Sequence, residues 1–119
     1  MKIIYNNCRG GFDLSEQAIV LLAKKKRLAL FLVRGTESIL NKLYKKNFYY
    51  TKSKDVRVND KDGLWSVDML SRNDSDLVAV VEEMGRLASN NYSNLTVMEI
   101  PDGCSFTIHN EDGLETVKF

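Results

Sequence analysis

The stretch Ile3-Ile4-Tyr5-Asn6-Asn7-Cys8-Arg9-Gly10-Gly11-Phe12-Asp13-Leu14-Ser15-Glu16 sets the frame for the whole chain of 119 residues. An apolar run with strand character, residues 2–6, meets two adjacent glycines, and a helix start follows at once. Paired glycines let the backbone approach another group closely, because no Cβ stands in the way. Asp13 precedes Glu16 by three positions, a variant of the capping box, so a helix is predicted over 14–26. Lys24, Lys25 and Lys26 then place cations at the negative end of its dipole.

Working outward, Leu28–Val33 is an unbroken apolar run between Arg27 and Arg34. It suits a strand covered on both faces, as in a parallel pair. Strand, helix, strand in that order predicts a βαβ unit with a right-handed crossover and both strands in one sheet. Thr36 can cap a second helix over about 37–46, with Ile39, Leu40, Leu43 and Tyr44 on one side and Lys42, Lys45 and Lys46 on the other. Phe48-Tyr49-Tyr50-Thr51 has strand composition, and a turn at Asn59–Gly63 precedes the short run Leu64–Val67. Asp74 or Ser75 can cap a third helix over about 75–89, whose Leu77, Val78, Val81, Met84 and Leu87 recur at helical spacing and which Asn90-Asn91 ends. Leu95–Ile100 reads as a strand, Pro101-Asp102-Gly103 as a turn, and Ser105–His109 alternates with period two. Asp112-Gly113 is a hairpin turn into Leu114–Phe119. The expected fold is therefore α+β, with α/β as the alternative. It is a single domain over 1–119, with a mixed sheet, an N-terminal βαβ unit, about three helices and a C-terminal antiparallel hairpin.

Composition is that of a folded, soluble protein: 44% apolar and 28% charged. No stretch approaches the roughly 18 apolar residues of a membrane span, and the start lacks a signal-peptide core, so a cytoplasmic protein is expected. In that compartment Cys8 and Cys104 are expected as two thiols. Net charge conceals an asymmetry. Residues 1–60 carry thirteen Lys and Arg against five Asp and Glu, net +8, whereas residues 61–119 carry four against eleven, net −7. The simpler reading has the halves interleave so that their fields cancel. If they stay apart, the basic half favours an anionic partner, and head-to-tail homo-oligomers become plausible.

Four motifs in order, Tyr5–Ser15, Arg72-Asn73-Asp74-Ser75-Asp76-Leu77-Val78 with Val81–Gly85, Val97–Gly103 and Asp112-Gly113-Leu114-Glu115, resemble a family of small uncharacterised bacteriophage proteins. The resemblance covers roughly 1–22 and 70–117 and leaves the middle unmatched. It departs at Arg9, where an aromatic or small residue is usual, at Ser75, where proline is usual, and in a charged, aromatic tail that such proteins carry past the position of Phe119. The resemblance implies a viral accessory protein acting in the host cytoplasm, with no settled activity.

The residues define three chemistries. First, amides at Gly10, Gly11 and Phe12 beside a helix start, with Asn7, Arg9 and Arg72, would hold a phosphate-bearing small molecule, such as a nucleotide signal. The spacing is neither a P-loop nor a dinucleotide fingerprint, and Asp13 at the helix end opposes an anion there. A tight turn for strand–helix packing is the competing reading, and Arg72 can equally pair with Asp68, Asp74 or Asp76. Second, Lys42, Lys45, Lys46, Lys52, Lys54 and Arg57 interleave with Tyr44, Phe48, Tyr49 and Tyr50, the combination that binds single-stranded nucleic acid or a host protein. Third, Cys8 beside Arg9 is the nucleophile candidate, but His109 lies far off in sequence on a surface position, so no base accompanies it. Two cysteines and one histidine lack metal-site spacing. A non-enzymatic binder with no metal and no cofactor is expected.

Overall fold

The computed structural model describes residues 1–34, 47–50 and 64–119. The chain divides into two compact units, one formed by Met1–Lys26 with Leu70–Phe119 and one by Arg27–Met69.

In the first unit, strand β1 (Lys2–Asn6) pairs antiparallel with a later strand, Leu95–Glu99, in the register Ile4 opposite Val97. Ile3 and Ile4 point to opposite faces of β1 and neither is exposed at all, so this strand is core on both sides. Helix α1 (Glu16–Lys26) buries Ala18, Ile19, Leu22 and Ala23. Its start is set by Ser15, not Asp13. The Ser15 hydroxyl accepts from the Ala18 amide at 3.1 Å, while Asp13 accepts from the adjacent Leu14 amide and from Asn90. Two candidate cap residues two positions apart are hard to separate by pattern, and the serine, itself buried, is the one that reaches the third amide. Arg27 takes a left-handed φ of 53° immediately after the helix.

The first unit's second helix, α2 (Ser75–Met84), buries Leu77, Val78, Val80 and Val81, and packs against α1 and β1. Asp74 caps it, accepting from the amides of Asp76 and Leu77, as expected. The helix ends five residues earlier than predicted. Gly85 adopts a positive φ of 58° and the chain tightens into a 3-10 turn, Gly85–Ala88, so Leu87 leaves the apolar face and is 74% exposed. At the C-terminus, β6 (Thr107–Glu111) and β7 (Leu114–Lys118) form the expected hairpin. Asp112 and Gly113 both have positive φ, 52° and 89°, the signature of a type I′ turn.

The second unit holds β2 (Phe31–Arg34), β3 (Asn47–Tyr50) and β4 (Leu64–Trp65) in a three-stranded antiparallel sheet of order β2-β3-β4, followed by a 3-10 turn at Val67–Met69. With these numbered, Leu95–Glu99 is β5.

The α+β class stands, but the predicted βαβ unit and mixed sheet do not. β1 pairs with β5, β2 pairs with β3, and every strand pair among the described residues is antiparallel. Proximity in sequence suggested that β1 and β2 share a sheet. An unbroken apolar run is consistent with burial in any sheet and carries no information on strand direction. Two α-helices occur among the described residues, where about three were expected; the helix predicted over 37–46 lies outside them.

Candidate functional site

The free edge of β1 decides what the glycine turn and Arg72 do. An antiparallel strand sends alternate amides to each side. Those of Ile4 and Asn6 do not go to β5: Ile4 donates to the Arg72 carbonyl at 2.9 Å, and Asn6 donates to a Glu115 carboxylate oxygen at 2.8 Å. Arg72 and Glu115 then bind each other through two parallel hydrogen bonds, of 2.6 and 2.8 Å. Arg72 also reaches the Ile4 carbonyl at 3.4 Å and stacks on Phe12, its guanidinium carbon 3.5 Å from the ring centre. Glu115 is 4% exposed. The pair thus takes the place of a third strand along β1 and satisfies backbone groups that burial would otherwise orphan.

Asn6 completes the cluster. It is fully buried, its amide nitrogen donates to the carbonyls of Cys8 and Gly113, and its oxygen accepts from the Asn94 amide. One side chain therefore ties β1, the glycine turn, the segment before β5 and the hairpin turn together. Both amide hydrogens and the side-chain oxygen are engaged within the chain.

The two glycines do approach something closely, and it is this chain. A Cβ on Gly10 would stand 1.5 Å from the Tyr92 carbonyl oxygen, and one on Gly113 would meet the Gly11 nitrogen at 2.6 Å and the Arg9 oxygen at 2.8 Å. Gly11 has open space but a φ of +99°. The turn is wedged between residues 90–94 and the type I′ turn of the hairpin.

Of the predicted ligand-binding residues, Phe12 and Arg72 meet beside Glu115, while Gly10 lies against Tyr92 and Gly11 against Gly113. The Asn7 amide donates to the Asn94 carbonyl. Arg9 lies at the rim, 71% exposed and 3.7 Å from the equally open Asp112. A phosphate brought to the cluster would meet one carboxylate already held by Arg72 and a second beside Arg9. Arg72 pairs with none of the three aspartates weighed for it. Glu115 ends the fourth sequence motif, Asp112-Gly113-Leu114-Glu115, but is not among the candidate site residues. The available signal is its place on the alternating strand: in register Ile108 faces Val117 and Asn110 faces Glu115, which puts an acid on the inward face of the hairpin.

The Cys8 thiol donates to the Tyr92 carbonyl at 3.2 Å, and His109 is exposed on β6. Among the described residues no group of three or more His, Cys, Asp or Glu side chains is placed to hold a metal ion, and no helix is long and apolar enough to cross a membrane. Of the predicted partner surface, Lys42, Lys45, Lys46 and Lys52 lie outside the described residues, and Tyr49 sits on β3.

The oppositely charged halves of the chain interleave within the first unit. Lys2 meets Glu82, Lys25 meets Glu83, and Lys26 bridges Asp74 and Asp76 at 2.8 and 3.1 Å. Burial pushes the Asp74 carboxyl up, but the hydrogen bond and charge of Lys26 and the amides of Leu77 and Asp76 outweigh it and hold the group below the usual carboxylate range. The hydrogen bond to Asp74 in turn raises Lys26, against the opposing effect of its partial burial. No family model, no curated protein and no solved structure matches the chain.

Proposed function

We propose that the protein is a non-enzymatic binder of a phosphate-bearing partner, engaged chiefly by the basic residues of Arg27–Met69. The observation that carries this reading is the distribution of charge between the units. The first has eight Lys and Arg against eleven Asp and Glu, net −3, and its described cations largely face carboxylates of the same unit. The second has nine against five, net +4, with Lys42, Lys45, Lys46, Lys52, Lys54 and Arg57 interleaved with aromatic rings. Clustered cations beside stackable rings favour phosphate and base together. A viral accessory role in the host cytoplasm rests on the family resemblance alone.

A second reading keeps a small phosphate compound at the glycine turn. It is favoured by the exposure of Arg9 and the long 3.7 Å separation of its exposed pair with Asp112, an interaction worth little in water. Without Arg72, that site has one cation.

A thermal-shift screen with mononucleotides, cyclic nucleotides and single-stranded oligonucleotides tests both readings. A ligand at 100 times its dissociation constant stabilises by about 2.7 kcal/mol. The first reading expects a shift that is lost on reversing charge at Lys45, Lys46 and Lys52 and kept in Arg9→Ala; the second expects the opposite. No shift with any phosphate-bearing compound contradicts both.

A further inference from the structure

Over residues 101–119 only Glu115 is buried; Ile108, Leu114 and Val117, the apolar residues of the hairpin strands, are half-exposed. A two-stranded hairpin is marginal by itself in water and persists when it packs an apolar face on something else. This one buries a carboxylate instead. Among the described residues no strand pairing joins β7 to β1. The hold runs through the two bonds from Arg72 to Glu115, the Asn6 main-chain amide on Glu115 Oε1, and the Asn6 side-chain nitrogen on the Gly113 carbonyl at 2.8 Å. A close backbone approach of Gly113 to Gly11 adds to it. Upstream, the last buried anchor is Ile100, and residues 101–106, which lead into the hairpin, are mostly exposed.

We infer that the β6–β7 hairpin is an autoinhibitory strap: Glu115 fills, from within the chain, a site on the edge of β1 that accepts the carboxylate of an acidic peptide. The site does not depend on the strap for its shape. Arg72 is stacked on Phe12 at 3.5 Å and reaches the Ile4 carbonyl, while its own carbonyl takes the Ile4 amide. Asn6 is fixed from the other side by the Cys8 carbonyl and the Asn94 amide. Lifting the hairpin therefore leaves three sets of donors in place: the Arg72 fork, the Asn6 main-chain amide and one hydrogen of the Asn6 side chain. The strap meets them with a carbonyl and a carboxylate two residues apart, Gly113 and Glu115, and that spacing defines the partner. An arginine fork with an added amide selects a carboxylate by charge and by geometry. Elements with few buried apolar contacts open ahead of global unfolding, so the strap is the part of this unit poised to move. A partner's apparent affinity then falls in proportion to the fraction of chains that stand open.

Two measurements on the full chain test this. Hydrogen exchange of the parent protein requires no variant: the amides of β6, β7 and Asn6 should exchange together, ahead of those of Leu22 and Val80 on the buried faces of α1 and α2. Exchange of all of them at one common rate overturns the strap. Fluorescence anisotropy then follows a labelled synthetic peptide of residues 110–119, the chain's own strap. Glu115→Gln, with exchange at Leu22 and Val80 unchanged, should bind it at least roughly tenfold more tightly than the parent does, because the internal competitor has lost its charge. A peptide with Gln in place of its Glu should bind roughly tenfold more weakly than the natural peptide. The two peptides are compared on the parent as well, so the outcome does not hang on the folding of the variant. Equal affinity for the two peptides, or equal affinity of parent and folded Glu115→Gln, overturns the inference.

Discussion

In the unit formed by Met1–Lys26 and Leu70–Phe119, Lys2, Arg9, Lys25, Lys26 and Arg72 each face a carboxylate of the same unit. The residues of Arg27–Met69 instead carry nine cations against five acids, with aromatic residues at cross-strand positions of one small sheet. The contrast separates motif from site. Gly10, Arg72 and Glu115 of the first unit are spent on holding it together, whereas Arg27–Met69 carries the excess of cations. A pattern of glycines and an arginine can record a packing solution as well as a ligand.

That contrast can be broken most forcefully at the Arg72–Glu115 pair. Removing one partner of a buried ion pair leaves the other charge uncompensated, so Arg72→Met and Glu115→Leu should each destabilise by about 3–5 kcal/mol. The double variant should cost much less than their sum, because residues in direct contact couple. Urea unfolding of the four proteins measures this; additive costs would mean that the pair is not the fastener described.

The glycine turn is the next lever. Gly10→Ala sets a methyl against the Tyr92 backbone and should cost about 3 kcal/mol or more, at or beyond the upper end of overpacking. Gly11→Ala meets open space and bears only the left-handed backbone cost of about 1–2 kcal/mol. A ligand-binding turn with no packing role would show no such ranking in melting temperature.

Smaller effects separate the two candidate caps of α1. Ser15→Ala should cost about 1 kcal/mol, while the cap itself should survive Asp13→Ala. The pH dependence concerns Asp74 and Lys26. A carboxyl held below its ordinary range contributes stability that is complete above the ordinary value and is lost as pH falls through the lowered one. Lys26, raised, contributes below its ordinary value and loses that contribution only in strong alkali. The melting temperature should therefore be flat through neutrality and fall below about pH 4. Asp74→Asn, which keeps a capping oxygen, should flatten part of that acid limb; an unchanged limb would show that the Lys26 bridge carries no net stability.

Local elements were legible wherever one residue fixes the backbone. Asp74 announced α2, Asp112-Gly113 announced a hairpin with both φ values positive, and the run at 2–6 gave β1 its bounds. Pairing was not legible, because an apolar run states that a strand is buried without stating by what. Chain order therefore wrongly joined β1 to β2 when β5 was its partner. The end of α2 was missed because Gly85 sits inside an apolar period that continues to Leu87, and the period outweighed the glycine. At the candidate site, Arg72 was legible as a charged anchor, but its partner was not among the nearby aspartates. Glu115 lies 43 positions away, and only the hairpin register brings it to β1.

The most direct test of the account measures the affinity of a labelled single-stranded oligonucleotide by fluorescence anisotropy for two variants. These are Arg72→Met, under conditions where it remains folded, and the charge reversal of Lys45, Lys46 and Lys52. The account predicts that Arg72→Met binds as the parent does and that the reversal loses most of the affinity and of its salt dependence. Loss of binding in folded Arg72→Met, with the triple reversal unaffected, would contradict it.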